Sequence, residues 1–250
     1  MSRPTIGPQG VPRVHAWLLV LTLLLCASPV ASAASLQVAP TRIAIEVERG
    51  AEGLTLSNNG ADVVHVQVRA FRWWQENGED MLEPAEDLVV SPPMLQLGPG
   101  AEQLIRIVHT GSPPPAGGEK TYRVVVDELP VDSAGPRGPG LRFALRYSIP
   151  VFILESAEAP PAPQLQTRFV ESASGAAIEI RNTGSGSAQF ADLVVIDPRG
   201  RRHVVAQGLA GYVLPGQQRQ WPLPRGATAE GRIEAKLNGE PQARALAPDR

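Results

Sequence analysis

The chain has 250 residues, with 23 basic and 25 acidic side chains and a formal net charge of −2. This balance, together with the lack of a basic stripe, argues against a nucleic-acid-binding protein. The single cysteine, Cys26, excludes an intramolecular disulfide, so the folded protein must depend on its hydrophobic core.

Residues 1–33 have the pattern of a signal peptide. Arg3 and Arg13 give a positively charged start, and the apolar run 18–27 is too short to span a bilayer. Small residues then lead to a cleavage site at Ala33, so we expect the mature chain to be exported. A membrane anchor is the alternative, and the shortness of the apolar run disfavours it.

Seven β-rich runs follow the leader, and turns rich in glycine, asparagine and proline separate them. Short strands at this spacing are typical of an immunoglobulin-like sandwich, which we predict for residues 34–156. The runs are 38–47, 54–57, 63–73, 88–91, 104–109, 122–129 and 141–154.

The proline-rich segment 157–164 predicts a short, extended linker. Six further β-rich runs lie between residues 165 and 237, and we predict a second, smaller sandwich over 165–250 that ends in a loose tail from Ala245. No segment after the leader shows a sustained helical period, so the predicted fold class is all-β.

The run 141–154 has one apolar face. Its odd positions up to 149 are large and apolar, whereas its even positions are small, polar, charged or proline. Pro150 lacks an amide donor, which predicts a sheet edge or a bend at this point. The row is therefore either the inner face of a core strand or an edge offered to another chain. Its apolar members are Leu141, Phe143, Leu145, Tyr147 and Ile149.

Patterns of catalytic and metal-binding residues are missing from the sequence. The histidines have no metal-ligand spacing, and no nucleophile elbow, phosphate loop or dinucleotide-binding glycine pattern occurs. The adjacent carboxylates Asp127 and Glu128 would point to opposite faces of a strand. Trp73 and Trp74 are a candidate sugar-stacking platform, but we favour the alternative that one lies in the core and the other at the surface or at a domain seam. We predict a protein that is not an enzyme and needs no cofactor, metal or small-molecule substrate.

Several segments together resemble the periplasmic pilus chaperones of the chaperone-usher pathway. Residues 40–43 (PTRI) match the first-strand arginine of that family. Residues 91–100 (SPPMLQLGPG), followed by 104–107 (LIRI), are similar to its x-P-P-x-x-x-L-x-P-G signature and the arginine after it. Residues 119–130 (EKTYRVVVDELP) resemble the family strand that runs from E-x-x-[FY] to x-E-I-P. The resemblance covers most of residues 38–154.

This resemblance implies two immunoglobulin-like sandwiches at an angle, in a boomerang shape, and a non-catalytic chaperone in the periplasm. Such chaperones cap pilus subunits by donor-strand complementation and deliver them to an outer-membrane usher. The edge strand is also a candidate for self-association of the free protein. The form RYSIPVF of residues 146–152 resembles the archaic branch of the family.

The resemblance also implies the residues that bind the subunit. The apolar row from Leu141 to Ile149 would fill the groove of an incomplete subunit, and Arg42 would bind the subunit's C-terminal carboxylate. Relatives carry a lysine beside that arginine, but its place falls on Pro150 here. Arg146 and Arg142 are the candidates for a second cation, although their parity places them opposite the apolar row.

Two other functions remain open from the sequence. A pilus subunit or adhesin would be one incomplete domain with a free donor extension and usually a disulfide. A secreted carbohydrate-binding or hydrolytic sandwich would need converging carboxylates or aromatic side chains, for which the two adjacent tryptophans are the only sign.

Overall fold

Strands make up the regular structure of this protein. The computed structural model describes residues 36–130, 144–172 and 175–246, and these ranges contain seventeen β-strands and no α-helix. No helix that could cross a membrane occurs among them. The predicted signal peptide at 1–33 lies outside the described residues.

The first ten strands form two sheets. One sheet has the order β1-β3-β8-β6, and the other has the order β2-β10-β9-β4-β5, with β7 also paired to β4. The strands are β1 (Leu36–Ala39), β2 (Ile43–Glu46), β3 (Ala51–Asn58), β4 (Val64–Glu76), β5 (Glu79–Pro84), β6 (Leu88–Ser91), β7 (Met94–Leu97), β8 (Glu102–His109), β9 (Glu119–Leu129) and β10 (Arg146–Leu154).

The inner faces of these two sheets share one hydrophobic core. In β4 the side chains alternate, because Val64, Val66 and Val68 are buried while His65 and Gln67 are only half-buried. A period of two is what a strand with one core face requires. The run predicted at 38–47 is two strands, because β1 pairs with β3 in one sheet and β2 pairs with β10 in the other.

The remaining seven strands form two further sheets, with orders β11-β12-β15 and β14-β13-β16-β17. The strands are β11 (Leu165–Ser172), β12 (Gly175–Asn182), β13 (Ala188–Ile196), β14 (Arg202–Val213), β15 (Gln218–Pro222), β16 (Arg232–Leu237) and β17 (Arg244–Leu246). A second core lies between these sheets and includes Phe190 and Trp221, whose ring centroids are 5.6 Å apart.

The prediction of a loose tail from Ala245 is wrong for Ala245 and Leu246, which lie in a strand. β17 continues to Leu246 and pairs with β16, where Ile233 lies opposite Leu246. Leu246 is buried in the second core, and the burial of its hydrophobic side chain stabilises the pairing of this segment with β16. The domain boundaries 34–156, 157–164 and 165–250 stay predictions.

Candidate functional site

Half of β10 is a free sheet edge. β9 pairs with β10 along its whole length, from Arg146 to Leu154. On the other side, β2 pairs in parallel only with Val151–Leu154. Within the described part of the chain, Arg146–Pro150 therefore has no strand on its second side. Unpaired backbone groups of this kind are what an added strand would bind.

The side chains of β10 alternate between two environments. Val151 and Ile153 lie in the first core, whereas Phe152 and Leu154 lie in a separate cluster on the opposite, outward face of the sheet. The predicted row continues the parity of the first core. Ile149 is 4% exposed and belongs to that core, so it has almost no surface for a partner.

The other described residues of the predicted row are less buried than Ile149. Tyr147 is half-buried against the first core, and its hydroxyl donates to the carbonyl of Leu36 at 2.5 Å. Leu145 precedes β10 and is half-buried, and its carbonyl accepts from Glu128 N at 2.9 Å. Leu141 and Phe143 lie outside the described residues. The face that is core at Ile149 is thus already partly open at Leu145.

The outward face of the same sheet meets the second sandwich. Trp73, Phe152 and Leu154 form a cluster with Tyr212 and Leu214 of the second half, and the rings of Trp73 and Tyr212 meet edge to face at 5.2 Å. Trp73 is 1% exposed, so it cannot stack on a sugar, and the alternative that places one tryptophan in the interior holds. We call this cluster the junction.

Two polar side chains also tie the sandwiches together. Buried Gln75 accepts from Leu214 N at 3.0 Å and donates to the carbonyl of Tyr212 at 2.9 Å. Glu119 accepts from the backbone N–H and the hydroxyl of Ser187. Burial raises the pKa of Glu119, and the bonds from Ser187 and the charge of Arg42 only partly offset this.

Arg42 lies at the edge of the junction. It directly precedes β2 and is exposed, and its guanidinium carbon is 4.6 Å from the ring centroid of Phe152. No carboxylate of the described residues forms an ion pair with it within 4.0 Å. Arg42 thus offers hydrogen-bond donors to an external anion.

Arg123 is a second cation that the sequence analysis missed. It lies on β9 directly opposite Pro150 in the register. Its guanidinium carbon is 3.8 Å from the ring centroid of Trp73 and 5.0 Å from that of Tyr212, so the head group is held by cation–π contacts. Burial lowers the pKa of Arg123, and the nearby Tyr212 and Asp80 oppose that shift.

The two arginines flank Pro150 on the outward face. On one side the parallel register begins at Val151 opposite Ile43, one residue after Pro150 and Arg42, and on the other side Arg123 lies directly opposite Pro150. Both side chains point away from the first core, because their strand neighbours belong to that core. Two cations therefore surround the position where relatives carry lysine. Only the register of three strands shows this, since Arg123 is 27 positions from Pro150 in the sequence.

Arg146, the predicted candidate for the second cation, has another partner. Its guanidinium donates to Asp127, which also accepts from Arg69 Nη2 at 2.6 Å. Arg142, the other candidate, lies outside the described residues. Among the described residues, no group of three or more His, Cys, Asp or Glu side chains could hold a metal ion.

Residues 35–155 match the family model described as "Pili and flagellar-assembly chaperone, PapD N-terminal domain". That region of the chain is therefore similar to the N-terminal domain of this chaperone family. The chaperone resemblance derived from residues 38–154 is thereby confirmed. No curated protein matches the chain.

Solved structures of chaperones have the same fold over most of the chain. One is the CsuC-CsuE chaperone–tip adhesion subunit pre-assembly complex from the archaic chaperone-usher Csu pili of Acinetobacter baumannii. It has 24% identity and a TM-score of 0.65, covering 85% of this chain and 97% of that one. The Salmonella enterica SafA pilin in complex with the SafB chaperone gives 18% identity and a TM-score of 0.62, covering 86% and 97%. The E. coli chaperone DraB has 20% identity and a TM-score of 0.57, covering 86% of this chain and 97% of that one. The predicted all-β fold of two immunoglobulin-like sandwiches is confirmed.

Proposed function

We propose that this chaperone-family chain caps pilus subunits by donor-strand complementation and delivers them to an outer-membrane usher. The observation that carries the proposal is the free edge of β10 between Arg146 and Pro150, with Arg42 and Arg123 at its inner end. An edge gives strand pairing, and paired cations give a terminal anchor. Solved structures of the same fold include chaperones in complex with a tip adhesion subunit and with a pilin, which supports this class of partner.

The apolar row supplies the side chains of the donated strand. Leu141, Phe143 and Leu145 would enter the hydrophobic groove of a subunit that lacks a strand, while main-chain hydrogen bonds join the two chains. Burying each side chain fully contributes about 1.5–3 kcal/mol. Tyr147 would complete the row at the boundary, and Ile149 would continue it inside the chain's own core.

The two arginines would bind the C-terminal carboxylate of the subunit. Arg42 is exposed, and Arg123 is held in place by Trp73 and Tyr212, so little side-chain freedom is lost when Arg123 binds an anion. A carboxylate between them would accept hydrogen bonds from two sides of Pro150. The anchor would set the position of the subunit along β10, because the apolar row and the cations lie on connected strands.

The remaining features of the proposal concern location and chemistry. The chaperone would act in the periplasm after removal of a signal peptide near Ala33, without a cofactor and without catalysis. Free protein would associate with itself through the unpaired edge of β10.

The first experiment identifies the partner and tests the donated strand. The chain is purified from the periplasm, and co-purifying proteins are identified by mass spectrometry; we expect a pilus subunit, called the captured subunit below. Leu145→Glu should abolish capture, because a charge would enter a dry groove. Leu104→Glu is the matched control, since Leu104 is 59% exposed on β8 of the other sheet and should leave capture unchanged.

Circular dichroism of both variants shows whether they fold. Capture by folded Leu145→Glu at the wild-type level, or absence of any pilus subunit from the purified material, would contradict strand donation.

A further inference from the structure

Asp127 joins three neighbouring strands through its side chain. It lies on β9, directly opposite Gln67 of β4 and Arg146 of β10. Its carboxylate is 10% exposed and accepts from Arg69 Nη2 at 2.6 Å and from Arg146 Nε. We call Arg69, Asp127 and Arg146 the ion triad. Charge-assisted hydrogen bonds of this kind are among the stronger ones in proteins.

The ion triad lies where the apolar row joins the sheet. Arg146 is the first residue of β10, and the only strand beside it in the described part of the chain is β9. The adjacent backbone bond, from Glu128 N to the carbonyl of Leu145, is 2.9 Å long. Asp127 therefore reinforces the end of a ladder that has support on one side only.

The ion triad also fixes which face of the strand is apolar. With Arg146 drawn to Asp127 on the outward face, Leu145 and Tyr147 must point to the other face, because successive side chains alternate. A slip by one residue would turn the apolar row outward. Asp127 and Arg123 lie on the same face four residues apart, about 13 Å along the strand. The ion triad and the arginines at Pro150 thus lie at the two ends of the free edge.

We propose that Asp127 is a positioning residue for strand donation: by holding Arg69 and Arg146 it fixes the register of β10 at the outer end of the free edge. The inference rests on the proposed function, because it assumes that the row ending at Leu145 enters a partner. Asp127 itself would not touch the partner's groove.

A second ion pair in the chain offers a matched control. Glu179 of β12 is also almost fully buried, at 5% side-chain exposure, and pairs with Arg168 Nη2 at 2.5 Å. It accepts a further bond from Gln220 Nε2 at 2.8 Å. Its chemistry resembles that of Asp127, but it lies in the second sandwich, away from β10.

The experiment compares Asp127→Asn with Glu179→Gln in the full chain. The measurements are affinity for the captured subunit, the melting temperature, and hydrogen exchange at the amide of Glu128. We expect both variants to lower the melting temperature. Only Asp127→Asn should weaken the affinity for the captured subunit, by about tenfold, which is in the range expected when a coupled charged contact is lost. Only this variant should also speed hydrogen exchange at the amide of Glu128. Equal effects of the two variants on capture, or unchanged capture by Asp127→Asn, would overturn the inference.

Arg146→Gln keeps the test valid if Asp127→Asn does not fold. It should weaken capture by a similar factor, because Arg146 is the member of the ion triad that lies on β10. Its effect should add to that of deleting the last residue of the subunit; a non-additive result would place Arg146 at the terminal carboxylate and overturn the positioning role. If Leu145→Glu retains capture, strand donation fails and the inference fails with it. Loss of capture in Leu145→Glu with normal capture in Asp127→Asn would remove the inference alone.

Discussion

Arg42, which directly precedes β2, and Arg123, on β9, flank Pro150, and each guanidinium lies over an aromatic ring. Arg42 lies over Phe152 and Arg123 over Trp73. Arg123 is the more rigid of the two, because Tyr212 also borders its guanidinium. A planar guanidinium keeps both its stacking contacts and its donors when a carboxylate binds, which a lysine at the same place could not do.

The first residue-scale prediction concerns this anchor. Arg42→Ala and Arg123→Ala should each weaken binding of the captured subunit by about 1.5–3 kcal/mol, the range for a hydrogen bond to a charged group. Deleting the last residue of the subunit removes the partner of both arginines, so it should weaken binding at least as much as either change, and the combined losses should be less than additive. Isothermal titration calorimetry of the double-mutant cycles measures this.

Arg72→Ala is the control for that cycle. Arg72 is a largely exposed arginine of β4 that pairs with Glu83 at 3.6 Å. Its loss should leave subunit binding unchanged. Fully additive losses for Arg123→Ala and the shortened subunit would show that Arg123 and the carboxylate do not meet.

The second residue-scale prediction concerns His109. Its side chain is 5% exposed, its Nε2 has no hydrogen-bond partner among the described residues, and the nearest carboxylate oxygen, on Asp87, is 4.0 Å away. Burial lowers the pKa of His109; Asp87 opposes this shift and Lys120 adds to it. Because the unfolded state then binds the proton more readily, His109 contributes stability above the ordinary histidine pKa of about 6.5. That contribution is lost as the pH falls through the folded-state pKa.

Urea unfolding at about pH 7.5 and about pH 5 tests this linkage. The wild type should lose more stability between the two values than His109→Gln, because glutamine does not titrate. The same pH dependence in the wild type and in His109→Gln would exclude a role for His109.

At the scale of the element, β10 combines two kinds of strand. From Val151 to Leu154 it is central, with β9 on one side and β2 on the other. From Arg146 to Pro150 it is an edge, because the chain before β2 belongs to β1, which pairs in the opposite sheet. Pro150 stands at the last position of the edge half, where the missing amide costs no ladder bond to β2.

The element-scale prediction is self-association of the free protein through this edge. Sedimentation velocity should show a concentration-dependent increase in mass, because two edges can pair with each other. Bound subunit should reverse it, since the edge is then occupied. Leu145→Lys should reduce association, as charges on edge strands do, whereas Leu104→Lys on β8 should not. A monomer at all concentrations would contradict the prediction.

At the scale of the whole molecule, the junction links the two sandwiches. Beside this apolar cluster around Trp73, the buried side chain of Gln75 and the bonds between Glu119 and Ser187 also connect the sandwiches. Two members of the junction support the arginines of the anchor. Phe152 lies under Arg42, and Tyr212 lies beside Arg123. The second sandwich therefore helps to build the site that we propose on the first.

The whole-molecule prediction is that Gln75→Ala uncouples the sandwiches. The change leaves Leu214 N and the carbonyl of Tyr212 without Gln75, at a cost of about 1–3 kcal/mol for each buried group left unpaired. Differential scanning calorimetry should show a lower first transition and a separation into two transitions. Gln103→Ala removes a glutamine from the exposed face of β8 and should leave the curve unchanged. A single unshifted transition in Gln75→Ala would show that the bridge adds nothing.

The sequence by itself determined the fold class, because strand alternation and turn residues are local signals. The valines of β4 and the apolar run after Pro150 indicate their burial directly, since side-chain direction in a strand follows from parity. Arg42 and the row to Ile149 were likewise visible as short patterns that resemble a family. The segment ending at Leu246 was predicted wrongly, because three residues give too little periodicity to show a strand.

Only the tertiary structure decided which residues share the site. Arg123 faces Pro150 because β9 and β10 are antiparallel neighbours in one particular register, and no local pattern encodes that register. The same pairing commits Arg146 to Asp127. The parity of the row was readable in the sequence. Only the burial of each side chain shows where the row leaves the chain's own core: Ile149 packs inside that core, and Leu145 is only half-buried. Partners along a strand follow from covalent spacing, whereas partners across a sheet depend on how the whole chain packs.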